Sequence, residues 1–169
     1  MKKYIATFVA GFGAAALQVL PGGKSLGCCL ILPAAAFIAL SLDQKANNDY
    51  SKIDFQKAMV FGVLTGVFSA LFLTMFELVI TIITHHNDFV ESIYNLDEAF
   101  SVLNLPKELR EEVAKLFYSM RDDIVETGFS PLYTFSIITR NFFIDPLFGM
   151  IGGMIGVQII NRRNEKRSS

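Results

Sequence analysis

Four long apolar runs that carry almost no charge constrain the fold of this 169-residue sequence more than any other feature. They cover residues 4–20, 26–42, 58–84 and 132–160. A helix needs about 20 mostly apolar residues to cross the hydrocarbon core of a bilayer, and about 17 is the lower limit. The first two runs are at this limit and the last two exceed it. The sequence therefore predicts an all-α fold, an integral membrane four-helix bundle in a single membrane domain of residues 1–169.

Basic residues are concentrated on one side of the predicted spans. The loop between the first two spans contains only Lys24. The two termini and the loop after the second span contain nine lysine and arginine residues, namely Lys2, Lys3, Lys45, Lys52, Lys57, Arg162, Arg163, Lys166 and Arg167. Because cytoplasmic loops carry the excess of lysine and arginine, both termini are predicted to be cytoplasmic.

The segment between the third and fourth spans is then predicted to lie outside the cytoplasm. Residues 85–131 contain ten acidic and four basic side chains, a net charge of −6, which argues against binding to nucleic acid. From Pro106 to Gly128, apolar residues recur at helical spacing between charged ones, and a weaker pattern covers residues 89–100. We expect an outer helical segment over about residues 88–128 that folds over the bundle, lies at the membrane interface or docks a partner.

The stretch LPGGKSLG at residues 20–27 contains the Gly-Lys-Ser of a phosphate-binding loop. Such a loop requires a glycine five residues before that of Gly-Lys-Ser, but Gln18 occupies this position. The preceding GFGAAALQVL is rich in alanine and predicts a helix, whereas a phosphate-binding loop follows a buried strand. A proline and two glycines between apolar runs are typical of a turn. The stretch is predicted to be the turn of a helical hairpin.

Small residues along the predicted spans indicate close packing of helices. The alanines of Ala14–Ala16 and Ala34–Ala36 predict a tight antiparallel hairpin of the first two spans, and Pro33 is expected to kink the second. Three Gly-x-x-x-Gly pairs occur in the last two spans, namely Gly62/Gly66, Gly149/Gly153 and Gly152/Gly156. They either pack helices within the chain or form a face for a second copy or a partner subunit.

Three ionisable residues, Glu77, Arg140 and Asp145, lie inside predicted spans. Such residues are costly in lipid and are candidates for a functional role. Glu77 lies about 10 Å below the outer surface at 1.5 Å per residue. Arg140 is predicted at a similar or shallower depth, and Asp145 at a greater one. The positions allow a Glu77–Arg140 pair, with Asp145 either joining it or standing alone. The alternatives are a structural ion pair with a snorkelling arginine, a proton or ion relay, or no contact at all.

Residues with other chemistry are few. The adjacent Cys28 and Cys29 are predicted to be apolar packing residues of the second span, because a disulfide between neighbours is strained. His85 and His86 end the third span, but a catalytic zinc site usually needs three converging protein ligands. No nucleophile elbow, Cys-x-x-Cys or dinucleotide fingerprint occurs. We therefore expect no catalytic residue, cofactor or metal, and no cleavage of the first span as a signal peptide.

The order of these segments resembles that of the bacterial domain-of-unknown-function 4199 family. The resemblance is carried by IDFQKAMVFGVLTGVFSALF at the start of the third span and by PLYTFSIITRNFFIDPLFGMIGGMIGVQIINRR in the fourth. It covers most of the chain through loose motifs, and Arg140 and Asp145 are more polar than the family pattern. The resemblance implies a small protein of the bacterial inner membrane with this order of spans, and it implies no activity.

Most of the unusual residues are suited to packing, so the predicted role is that of a structural or accessory membrane subunit. Its partners would be the lipid bilayer and either a second copy or another membrane protein. The alternative is an oligomeric small transporter or a component of an ion or proton pathway built around Glu77, Arg140 and Asp145. Four spans are few for a monomeric secondary transporter, so this alternative requires an oligomer.

Overall fold

The computed structural model describes residues 4–20, 22–93, 96, 100 and 106–168. Every regular element in these residues is helical, and they contain no strand. The elements are α1 (Ile5–Val19), α2 (Gly23–Leu26), a π-helical turn (Gly27–Ile31), α3 (Leu32–Asn47), α4 (Phe55–Thr84), α5 (Asp88–Ile93), α6 (Lys107–Thr127) and α7 (Pro131–Ser168). The predicted all-α fold is confirmed.

Among the described residues, three helical stretches are long and apolar enough to cross a membrane. They are Cys29–Asn47, Phe55–Thr84 and Pro131–Lys166, with 19, 30 and 36 residues. The first apolar run forms only the 15 residues of α1, which extend about 23 Å at 1.5 Å per residue. The prediction of an integral membrane four-helix bundle therefore stays a prediction.

The chain forms two compact units. The first contains Met1–Met75 and Ile138–Ser169, and the second contains Phe76–Ile137. The first unit thus includes α1 to α3, most of α4 and most of α7. The second includes the end of α4, α5, α6 and the start of α7. Each unit has its own cluster of buried apolar side chains.

In the first unit, α1 and α3 pack against each other as the predicted hairpin. The turn between them depends on Gly22, whose φ of 80° favours glycine, and the Gly23 N–H donates to the carbonyl of Leu20 at 2.8 Å. Lys24 and Ser25 lie in the short α2, and Pro21 lies outside the described residues. The Gly-Gly-Lys-Ser stretch is therefore part of a helical hairpin, as predicted.

Pro33 lies in the first turn of α3, directly after the π-helical turn Gly27–Ile31. A proline has no N–H for the carbonyl four residues earlier, which here belongs to Cys29. The regular hydrogen-bond pattern of the α-helix is therefore broken at this point. A π-helical turn is another departure from that pattern, and it occurs as a short segment within longer helices. The structure thus shows a change of helix type directly before Pro33, and the kink expected there stays a prediction.

The polar linker between α3 and α4 is ordered by side chains at both of its ends. The Asp54 carboxylate accepts the Gln56 N–H at 3.1 Å and so caps the N-terminus of α4. The Asn161 side chain of α7 binds both backbone groups of Ile53: it accepts the N–H at 2.9 Å and donates to the carbonyl at 3.0 Å. The buried Asp43 of α3 forms a 2.7 Å ion pair with Lys57 of α4. We call the two Asn161–Ile53 hydrogen bonds the Asn161 clasp.

In the second unit, α6 has the bounds that the sequence predicts. Pro106 is its N-cap, and Gly128 ends it with a φ of 74° and an N–H bonded to the carbonyl of Ile124. Of the predicted apolar stripe, Met120 and Ile124 are buried, whereas Leu109 and Leu116 are exposed. The core of this unit also contains Val90 of α5 and the start of α7. The first part of the weaker pattern over residues 89–100 forms α5, and residues 94, 95, 97–99 and 101–105 lie outside the described ones.

Candidate functional site: a buried polar cluster

A cluster of polar side chains is buried between α1, α4 and α7 of the first unit. Gln18 of α1 donates from Nε2 to Ser69 Oγ at 3.0 Å and to Asp145 Oδ2 at 3.5 Å. Gln18, Ser69 and Asp145 are only 5%, 0% and 3% exposed. Polar groups are buried at a cost unless they are hydrogen-bonded, so these bonds fix where the three helices meet. We call these three residues the Gln18 cluster.

Close backbone packing brings these side chains together. A Cβ on Gly66 would overlap the carbonyl of Asp145, and a Cβ on Gly27 would overlap the Gln18 amide. Gly66 therefore needs glycine for lack of space, whereas at Gly27 the overlapping atoms belong to a side chain that can shift. Asp145 also precedes Pro146, which leaves one carbonyl of α7 without its usual helical donor. The cluster thus lies beside the proline within α7, at one of the points where α4 and α7 pack backbone against backbone.

A second buried hydrogen bond joins α4 and α7. Asn141 donates from Nδ2 to Thr74 Oγ1 at 3.1 Å, and its Oδ1 accepts from Arg140 Nε at 3.1 Å. Asn141 and Thr74 are buried and Arg140 is exposed. Asn141 and Asp145 are four residues apart, so they lie on one face of α7. The hydrogen-bonded side chains on this face of α7 therefore extend over a full helical turn, with Asn141 bonded to α4 and Asp145 to α1.

The three ionisable residues singled out in the sequence divide between the units. Arg140 and Asp145 belong to the first unit, and Glu77 belongs to the second. Glu77 is buried, and its backbone carbonyl accepts the Thr81 hydroxyl at 2.7 Å. Asp145 belongs to the Gln18 cluster, and Arg140 contacts Asn141. The Glu77–Arg140 pair stays a prediction.

All six glycines of the predicted Gly-x-x-x-Gly pairs lie against neighbouring helices of the first unit. A Cβ on Gly62 would overlap the carbonyl of Gly149, and the reverse also holds. Gly153 lies against the backbone of Ala58 in α4. On the other face of α7, Gly152 and Gly156 meet α3 at Pro33 and Phe37. These glycines therefore pack helices within the chain.

The two histidines lie in the second unit, after α4. His86 Nε2 lies 3.0 Å from a Glu91 carboxylate oxygen, and His85 Nδ1 lies 3.1 Å from the carbonyl of Val125. The His85 ring also lies against Gly128 at the end of α6. Within the part of the chain that the structure describes, no group of three or more His, Cys, Asp or Glu residues is arranged to hold a metal ion. These contacts connect the end of α4 to α5 and α6.

Sequence reasoning missed Gln18, Ser69, Thr74 and Asn141 as site residues. All four are neutral polar residues within apolar runs, and Gln18 was noted only because it replaces the first glycine of a phosphate-binding loop. A usable signal was present, because Asn141 and Asp145 interrupt the apolar sequence of α7 at helical spacing. Which of them meet depends on the rotation and register of three helices, and the pattern of a single chain does not contain these.

Comparisons of this chain with protein-family models, with curated proteins and with solved structures find no match.

Proposed function

We propose that the chain is a small multi-pass integral membrane protein. The observation that carries this proposal is the exposure of large apolar side chains along helices of spanning length. Phe143 and Leu30 in the first unit are 70% and 61% exposed, and Ile83 in the second is 74% exposed. Soluble monomers rarely expose large contiguous apolar surfaces. The buried residues include many small and polar ones, so the large apolar side chains face outward, as they do in a protein that is surrounded by lipid.

In this proposal α1 is the first of four spans. Ile5, Val9, Phe12 and Leu17 are exposed and recur at helical spacing, which gives α1 an outward apolar stripe. At 15 residues α1 is short, and a short span is accommodated by local thinning of the bilayer. The location is the bacterial inner membrane with both termini cytoplasmic. The resemblance to the domain-of-unknown-function 4199 family also stays a prediction.

Fusions of a reporter enzyme and of a fluorescent protein test this topology. Alkaline phosphatase is active only outside the cytoplasm, and green fluorescent protein folds efficiently in it. With the fusion point at Tyr50 or Ser169, we expect fluorescence and no phosphatase activity, whereas at Arg110 we expect the reverse. Phosphatase activity at Tyr50 or Ser169 would contradict the four-span order.

We further propose that the protein acts as a structural or accessory subunit. The support is the use of its unusual residues in packing: the glycines of α4 and α7 lie against backbone, and the polar residues of the first unit hydrogen-bond across helices. The exposed leucines 109 and 116 on α6 leave an apolar surface for a partner outside the bundle. The second candidate is a component of an ion or proton pathway. It is favoured by Asp145, since a buried intramembrane carboxylate is a functional candidate.

Purification in mild detergent followed by mass spectrometry separates the two roles. A stoichiometric partner protein is expected for an accessory subunit. The double variant Leu109→Ser/Leu116→Ser should weaken this complex, whereas Leu132→Ser, which changes an exposed leucine of α7, serves as the control. A homo-oligomer that contains no partner and loses proton conduction on Asp145→Asn would instead support the pathway role and contradict the accessory one.

A further inference from the structure

An apolar groove of about 640 Å³ runs along the hairpin of α1 and α3 in the first unit. Its floor includes the buried Ala10, Ala14 and Ala35, and its rim includes the exposed Leu17 and Leu30. All the residues that line it are apolar or glycine. The volume is in the range of sites that bind small organic ligands. The groove therefore suits a flexible hydrocarbon chain.

One end of the groove carries a positive charge. Along α3 the lining residues Ile31, Ile38 and Leu42 recur at helical spacing, and the next position of this stripe is the exposed Lys45 in the last turn. Helical side chains lean toward the N-terminus of their helix, so the Lys45 stem extends toward Leu42. The nearby Asp43 is buried and paired with Lys57, so it does not neutralise this end.

A ligand that matches the groove has an apolar tail and an anionic head. A helix from a second copy would fill the apolar part but would bring no anion to Lys45. We propose that the groove holds an acyl chain of an anionic phospholipid, with the lipid phosphate on Lys45. This inference rests on the membrane location proposed above. In that topology Lys45 lies at the cytoplasmic surface, where anionic lipids are enriched.

Native mass spectrometry of the full chain tests the proposal. The protein is extracted in mild detergent, delipidated, and incubated with phosphatidylglycerol or phosphatidylcholine of the same acyl chains. We expect one tightly retained phosphatidylglycerol per chain and weaker retention of phosphatidylcholine. Lys45→Gln should lower the phosphatidylglycerol affinity about fivefold, which corresponds to the contribution of one lysine to binding at an anionic membrane surface. Lys52→Gln, at an exposed lysine outside the groove, should leave it unchanged.

Filling the groove provides a second variant. A Cβ at Gly13 has no neighbour within 4 Å, so Gly13→Leu places its side chain into the groove without a clash at the backbone. It should lower the affinity for both lipids about tenfold, which corresponds to about two methylene groups of the acyl chain that are no longer buried. Val60→Leu, at an exposed position of α4, is the control and should bind lipid as the natural chain does.

Other outcomes overturn the proposal. Equal retention of the two lipids in the natural chain and in Lys45→Gln would exclude Lys45 as the phosphate ligand. A dimer that Gly13→Leu dissociates, with no change in bound lipid, would assign the groove to a second copy. A chain that needs detergent for extraction but retains no lipid contradicts this inference alone, whereas a chain recovered without detergent contradicts the membrane location itself. If Gly13→Leu fails to fold, Lys45→Gln still decides.

Discussion

Replacing Gly66 with alanine is expected to lower the free energy of unfolding of the first unit by about 1–3 kcal/mol. The added Cβ would overlap the carbonyl of Asp145 and press on the backbone of Pro146. Backbone cannot move aside as a flexible side chain can, so α4 and α7 must separate. Separation also disturbs the Gln18 cluster, which forms at the same crossing. The measurement is unfolding of the purified protein in mixed detergent micelles, followed by circular dichroism.

Gly13→Ala is the matched control, because it is the same substitution in a helix of the same unit. No atom lies within 4 Å of its added Cβ, and alanine favours helix over glycine by up to about 1 kcal/mol. We therefore expect an unchanged or slightly higher stability. Equal losses at Gly66 and Gly13 would contradict close backbone packing as the reason for Gly66. A loss of dimer mass by Gly66→Ala, without loss of stability, would assign this glycine to an interface between copies.

The second large effect is expected at Gln18. Gln18→Leu keeps most of the side-chain volume but removes the donor to Ser69 Oγ and to the Asp145 carboxylate. An acceptor that loses its donor in a buried position costs about 1–3 kcal/mol. Gln158→Leu makes the same chemical change at an exposed position of α7 and should cost less than about 0.5 kcal/mol. Both variants are measured by the same unfolding assay.

A double-mutant cycle shows whether the Gln18 effect depends on its partner. Ser69→Ala alone removes the acceptor, and Gln18→Leu/Ser69→Ala removes both groups. If they interact, the double variant should be more stable than the sum of the single losses predicts, by about 0.6 to 1.7 kcal/mol as for hydrogen bonds between membrane helices. Strictly additive losses would mean that Gln18 stabilises the unit through other contacts.

The elements that local chemistry determines were predicted well. The bounds of α6 follow from Pro106 and Gly128, since one residue favours a helix start and the other accepts the positive φ of a helix end. The turn at Gly22 follows from the same conformational freedom of glycine. Length and apolar composition alone predicted four spans, and three of these runs form helices of spanning length. These features depend on neighbours in the sequence and need no knowledge of the packing.

The Gln18 cluster depends on packing and was not predicted. Gln18 and Asp145 are separated by 127 positions in the chain, and their contact requires α1 and α7 to have one relative rotation and height. The π-helical turn before Pro33 was also not predicted in form, because the sequence indicates a break but not whether it is a kink or a change in helix type. It shifts the register of the residues before α3 relative to a regular helix.

The Asn161 clasp limits how the first unit can move. A side-chain amide that binds both backbone groups of Ile53 supplies the pairing that a neighbouring strand gives in a sheet, so the linker is fastened to α7. The ion pair between Asp43 and Lys57 fastens α3 to α4 beside it. A rocking motion of one helix pair against another would have to break both connections together. These connections therefore oppose movement of α3, α4 and α7 relative to one another at this end of the first unit.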